Sequence, residues 1–146
     1  MRPWKISQRR VESDLGIFRV RRHQATNPRT GRDGTFTVLE ASEWVEIIAL
    51  TPADEAVLVR QFRHGLEDFT LEAPGGLVDP GETPLEAAVR ELREETGHAA
   101  RSWQRMAVLH PNPAFLNNRC PVRRLRAAER VAEPTLDPGE DIEIET

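Results

Sequence analysis

The chain has 146 residues, 38% of them hydrophobic and 30% charged, with a formal net charge of −4. That is enough for one domain with a real core and too little for two, and the acidic balance sets up no global field toward nucleic acid or an anionic membrane. The lone Cys120 excludes an internal disulfide and fits a reducing compartment, and with no signal-peptide core or long apolar span the expected address is the cytoplasm.

Residues 4–12 and 15–23 are two extended patches separated by Ser13-Asp14, with imperfect alternation and one wet face. Asn27-Pro28 and residues 30–34 are turn chemistry, and residues 35–41 are extended again. Residues 1–40 therefore read as a β-meander ahead of residues 41–146. Residues 44–50 and 56–62 are mostly apolar runs joined by the turn Thr51-Pro52-Ala53-Asp54, which predicts buried core strands. Residues 66–72 make a further strand that leads through Ala73-Pro74 into Gly75-Gly76.

The stretch from Gly76 to His98 carries the most information. Thr83 is a suitable N-cap, Pro84 suits the first helical position, Glu86 completes a capping box, and Gly97 stands where a left-handed residue would end the helix. On the wheel, Leu85, Ala88, Val89, Leu92 and Thr96 share one arc, expected to pack inward. Glu91, Glu94 and Glu95 fall at i, i+3 and i+4 on the neighbouring arc, expected at a cleft edge. Three like charges so close destabilise a helix unless something cationic lies between them, and an all-oxygen set suits a divalent metal. The four histidines show no zinc-ligand spacing.

Gly76, Glu82, Arg90-Glu91-Leu92, Glu94-Glu95 and Gly97 stand in the spacing G-x5-E-x7-R-E-U-x-E-E-x-G-U, with U aliphatic. This resembles the signature of the Nudix hydrolases, departing only at the last position, His98. The resemblance implies an α/β/α sandwich around a mixed sheet. It also implies magnesium, or manganese, held by Glu91 and Glu95, with Glu94 close behind and the Gly75 carbonyl as a backbone ligand. Arg90 is expected to point away from the metal face and to pair with Glu82, holding the loop onto the helix.

Other features are similar to the family's branch acting on ADP-ribose and nucleoside diphosphate sugars. Val59-Arg60-Gln61-Phe62-Arg63 resembles its VRQYR segment, making Arg63 a candidate for the substrate's diphosphate, with a salt bridge at a strand end as the alternative. Arg60 and Trp44 join it as expected substrate contacts. Pro113, sixteen residues beyond Gly97, resembles that branch's downstream proline. The meander resembles one that pairs across a homodimer in those enzymes; closing its own sheet is the equal alternative.

After residues 103–109, a strand, and residues 110–118, a loop, the pattern departs from the family. Residues 121–126 hold one proline and three arginines, which predicts an edge strand or a solvated loop rather than a central strand. Residues 141–145 begin to look like a strand, where family members continue into a further strand and a helix, so the C-terminal part is expected to be incomplete. The acidic run at residues 137–143 resembles the loop that carries the general base. Glu140 is the nearest acid to that role, with a metal ligand or a plain surface turn as alternatives.

The expected activity is hydrolysis of a nucleoside diphosphate sugar, ADP-ribose first, to a nucleoside monophosphate and a sugar phosphate. GDP-mannose or another nucleoside diphosphate derivative is the alternative within the class, and a non-catalytic nucleotide-binding module the alternative outside it. The substrate is a small molecule, and neither nucleic acid nor membrane is expected as a partner.

Overall fold

The computed structural model describes residues 1–146, which divide into two compact units: Met1–Ser42 with His110–Arg119, and Glu43–Leu109 with Cys120–Thr146. The first unit is an antiparallel meander of β1 (Lys5–Asp14), β2 (Phe18–Thr26) and β3 (Asp33–Ala41). Two register shifts in β1, between Ser7 and Arg10 and between Val11 and Ser13, account for the imperfect alternation of its sequence. Trp4 meets Phe36 edge-on at 5.5 Å, and Phe36 stacks on the buried His23 at 5.8 Å. The segment His110–Arg119, assigned by sequence to residues 41–146, joins this unit. Leu39 donates to the Phe115 carbonyl at 2.8 Å, and the Asn117 carboxamide accepts from the Ala41 N–H at 3.1 Å.

The second unit is built on a mixed sheet ordered β12 (Ile142–Glu145), β5 (Ala56–Arg63), β4 (Trp44–Leu50), β10 (Cys120–Leu125) and β9 (Trp103–Leu109). β4 and β10 run parallel, and the other neighbours run antiparallel. β6 (Asp68–Glu72) adds to β5, and β7 (Gly75–Leu77) adds to β4. β8 (His98–Ala99) and β11 (Glu129–Arg130) form a small separate pair. The mixed α/β architecture matches expectation, and the sheet carries one helix, α1 (Pro84–Thr96). Val45, Ile47, Ala49, Val57, Ala87, Ala88, Leu92 and Leu125 form the core between them.

Two sequence expectations fail here. β10 is a central strand, not an edge or a loop: it lies between β4 and β9, and Cys120, Pro121, Val122 and Leu125 are buried. Pro121 is tolerated because pairing with β4 begins only at Val122, so its missing N–H falls at the strand's start. Arg123 and Arg124 are half-buried. The inward arc of α1 is also rotated from the expected one. Leu85 and Val89 are exposed, whereas Ala87, Glu91 and Glu95 are buried beside Ala88, Leu92 and Thr96. Small residues and carboxylates, not the largest apolar ones, let the helix approach the strands bearing the glycines.

The helix ends behave as read. Thr83 Oγ1 accepts from the Glu86 N–H at 3.3 Å, and the Glu86 carboxylate accepts from the Thr83 N–H at 2.8 Å. Gly97 has φ +68° and donates to the Arg93 carbonyl. A Cβ there would also strike the Ala132 carbonyl, so no other residue fits without strain. His98 is buried and satisfied, its ring Nδ1 2.9 Å from the Thr96 carbonyl.

Candidate active site

A cavity of about 590 Å³ lies within the second unit, between β4, the β5–β6 pair, the glycine strand β7, α1 and the loop at residues 135–140. Its construction starts from Gly75 and Gly76. A Cβ on Gly75 would collide with the Val45 carbonyl, and one on Gly76 would land on the Glu91 carboxylate. Glycine at both positions lets β7 lie against β4 and lets the α1 carboxylates come up beneath it. The Gly75 N–H then donates to Glu95 Oε2 at 2.9 Å.

Burial dominates the electrostatics of these acids. Glu95 is only 3% exposed, and desolvation, reinforced by Glu91 and Glu140, pushes its carboxyl up to about 8 against the opposing Gly75 hydrogen bond. Burial raises Glu91 also, opposed by its bonds to Arg90 and aided by repulsion from Glu94 and Glu140. Arg90 does not point away from this face, as expected from sequence, but into it. Nη1 donates to Glu91 at 2.8 Å and to Glu94 at 3.0 Å, while Nε and Nη2 grip both oxygens of Glu82 at 3.0 Å and Nη2 reaches the Leu77 carbonyl. The pairing with Glu82 is present as read; the additional bonds arise because a guanidinium has five donors and Glu94 lies one turn on. Arg90 thus stands among the carboxylates, and no three acidic, histidine or cysteine side chains converge to hold an ion in this arrangement.

The donor set still fits a hard divalent cation. Glu91, Glu94, Glu95 and the Gly75 carbonyl offer only oxygen, and the buried, mutually repelling pair Glu91 and Glu95 lacks a full counter-charge.

From the β5–β6 pair, Arg63 makes a two-pronged ion pair with Glu72, Nε to Oε1 at 2.9 Å and Nη2 to Oε2 at 2.6 Å. That pair holds Glu72 below the usual carboxylate range, with a bond from Thr70 as a further cause. The salt-bridge alternative for Arg63 is thereby realised, and Arg63 also lines the cavity. Trp44 and Glu140 line it too. Glu140 is placed by a turn in which its carboxylate accepts from the Asp137 N–H at 3.0 Å, on a loop tied to α1 through Thr135 N–H to the Glu94 carbonyl at 2.8 Å.

Arg60 and Pro113 are not brought to the cavity. Arg60 alternates away from Arg63's partner set and pairs with Glu145 of β12 at 2.6 Å. Pro113 lies in the segment of the first unit. Sequence reasoning missed Glu46, Gln61 and Glu72, which all line the cavity. The signal for Glu46 was present, as a single carboxylate inside the apolar run Trp44-Val45-Glu46-Ile47-Ile48.

This glycine strand, capped helix and carboxylate face on a mixed sheet define the Nudix class of α/β domain. The NUDIX domain family matches residues 43–146, and the chain belongs to that family. It is 35% identical over 119 residues to the ADP-ribose pyrophosphatase of Mycobacterium tuberculosis, covering 81% of this chain and 57% of that protein. It is 37% identical over 71 residues to the ADP-ribose pyrophosphatase of Bacillus subtilis, covering 49% of this chain and 38% of that protein. A crystal structure of an ADP compounds hydrolase superposes with a TM-score of 0.81 at 21% identity, over 99% of this chain and 78% of that one. The matched regions thus span 57% of the one curated relative and 38% of the other, and the structural likeness speaks for the fold.

Proposed function

We propose that this chain is a metal-dependent pyrophosphohydrolase that adds water across the diphosphate of a nucleoside diphosphate sugar. ADP-ribose is the leading substrate, yielding AMP and ribose 5-phosphate. The observation that carries the reading is one cavity lined both by the carboxylates of α1, Glu91 and Glu95 buried among them, and by the Arg63 guanidinium from β5. The similarity to the two ADP-ribose pyrophosphatases supports the substrate class.

Glu91, Glu94, Glu95 and the Gly75 carbonyl would hold magnesium or manganese, which supplies positive charge against the diphosphate oxygens and eases deprotonation of water. The chain's own groups do the rest. Arg90, held by Glu82, positions Glu91 and Glu94 directly and fixes the glycine strand through the Leu77 carbonyl. Arg63, already oriented by Glu72, presents its remaining donors to a phosphate oxygen. Trp44 offers an aromatic wall. Glu140, on the turn that lines the cavity, accepts the proton of the attacking water or joins the ligand set. Transfer of the water oxygen to phosphorus breaks the bridging P–O bond, and the leaving phosphate takes up the proton.

The edges of the meander at residues 1–40 favour pairing in a homodimer. The single buried cysteine suits a reducing, cytoplasmic setting. No helix is long and apolar enough to cross a membrane.

The test is incubation of the protein with ADP-ribose and magnesium, with products separated by chromatography. AMP and ribose 5-phosphate should form, and Glu95→Gln should lower turnover by orders of magnitude while the fold persists. Undiminished hydrolysis by folded Glu95→Gln would overturn the metal-site assignment. Preference for GDP-mannose would change the substrate within the class. Nucleotide binding without any product would mark a binding module instead.

A further inference from the structure

Glu46 is the one carboxylate of the cavity that is shielded from solvent and yet has neither a hydrogen bond nor an ion pair; Asp137, whose carboxylate is also unpaired, is exposed. It lies on β4 two residues from Trp44, so both side chains alternate to the same side of the strand, and both line the cavity. Its neighbours leave it unserved. Glu72 faces it as a like charge, and Arg63, the nearest cation, has two of its nitrogens committed to Glu72. Gly75 lies directly opposite in the β4–β7 register, but its N–H goes to Glu95. Burial and the Glu72 charge both raise Glu46, the reverse of what a paired carboxylate experiences.

A half-buried acceptor without donors costs stability, and the cavity into which it faces is the only place the missing donors can come from. Phosphate oxygens cannot supply them, since they are acceptors and carry the same charge. Of the parts of a nucleoside diphosphate sugar, the vicinal hydroxyls of a ribose match best: two adjacent O–H donors meet the two oxygens of one carboxylate. Trp44 beside it supplies an apolar surface for the ring. We infer that Glu46 is a specificity-determining residue that binds the vicinal diol of a substrate ribose, an inference that rests on the proposed substrate class.

The experiment uses the full chain and the non-hydrolysable α,β-methylene analogue of ADP-ribose, with two further analogues each lacking the vicinal hydroxyls of one ribose. Affinities are measured by calorimetry for the unmodified protein, Glu46→Gln and Glu46→Asp. Loss of one diol should weaken binding to the unmodified protein on the order of tenfold, as for charge-assisted hydrogen bonds. Both variants should bind the parent analogue about that much more weakly and no longer distinguish it from the analogue lacking that diol, so the two changes are not additive. Thermal midpoints supply the second readout. Glu46→Gln removes an unpaired half-buried charge and should leave the midpoint unchanged or higher. Equal weakening of all three ligands, no weakening of any, or a sharply lowered midpoint would overturn the assignment. Failure of the unmodified protein to bind any of the analogues would instead sink the substrate class, and this inference with it.

Discussion

At the scale of single residues, the adjacent glycines 75 and 76 separate structure from chemistry. Neither has a left-handed backbone, so what forbids a side chain is space alone. At Gly75 the obstacle is the Val45 carbonyl, a backbone atom of the central sheet that cannot yield without disturbing the β4–β7 register. At Gly76 it is the Glu91 carboxylate, the end of a side chain that can rotate aside. Gly75→Ala should therefore lower stability by about 1–3 kcal/mol, the usual range for overpacking. Gly76→Ala should leave the thermal midpoint close to that of the unmodified protein but reduce turnover severely, because it displaces a carboxylate proposed to hold the metal. Paired denaturation and rate measurements would check this, and equal effects of the two substitutions would contradict it. Cys120 shows burial acting without function: desolvation pushes its thiol up to about 11 beside Glu46, so it is protonated at neutral pH and unreactive.

At the scale of elements, α1 is defined by its ends and aimed by its small residues. The capping box satisfies two N-terminal N–H groups, and removal of the Thr83 hydroxyl by Thr83→Ala should cost about 1 kcal/mol. Gly97→Ala should cost more, since the new residue would be held at positive φ and its Cβ would press on the Ala132 carbonyl. Urea denaturation of the two variants orders them, and a Thr83→Ala loss exceeding that of Gly97→Ala would contradict the account. The Gly97 carbonyl accepts from the Val131 N–H at 2.8 Å, so this terminus also begins the path of the loop that delivers Glu140. Strand β10 makes a complementary point. Proline and arginine are poor strand residues by propensity, but propensity is a weak term beside pairing on both edges and burial of Val122 and Leu125.

At the scale of the whole molecule, each of the two units draws on distant parts of the chain. In the first, His110–Arg119 depends on residues 39–42: Leu39 exchanges backbone bonds with Phe115 and Asn117, and Asn118 donates to the Ser42 carbonyl at 3.2 Å. Deletion of residues 1–42 should therefore deprotect the amide of Asn117, which donates to the Leu39 carbonyl, and make that segment a preferred site of proteolysis. Hydrogen exchange followed by mass spectrometry would show this, and unchanged protection there would mean that the segment is ordered by other contacts. In the second unit, β12 closes the sheet by pairing with β5 across some 80 positions of sequence, Ile142 beside Gln61 and Glu145 beside Leu58.

What the sequence determined by itself was whatever is encoded locally: the span and caps of α1, the strands of alternating or continuous apolar residues, and the spacing of Gly76, Glu82, Arg90, Glu91, Glu94 and Glu95. These are fixed by interactions within about one helical turn or one turn of chain, so a short window of residues contains the whole cause. The tertiary structure alone decided which arc of α1 is buried, that β10 lies in the centre of its sheet, and that Arg90 turns into the carboxylates. It also decided that Arg63 is shared with Glu72, that Arg60 is taken by Glu145, and that Glu46 is left facing the cavity without a partner. Most of these depend on a group on another strand, helix or loop, 85 residues away for Arg60 and Glu145, and a charge or a glycine shows its role only once the atom it must meet, or must leave room for, has been brought alongside.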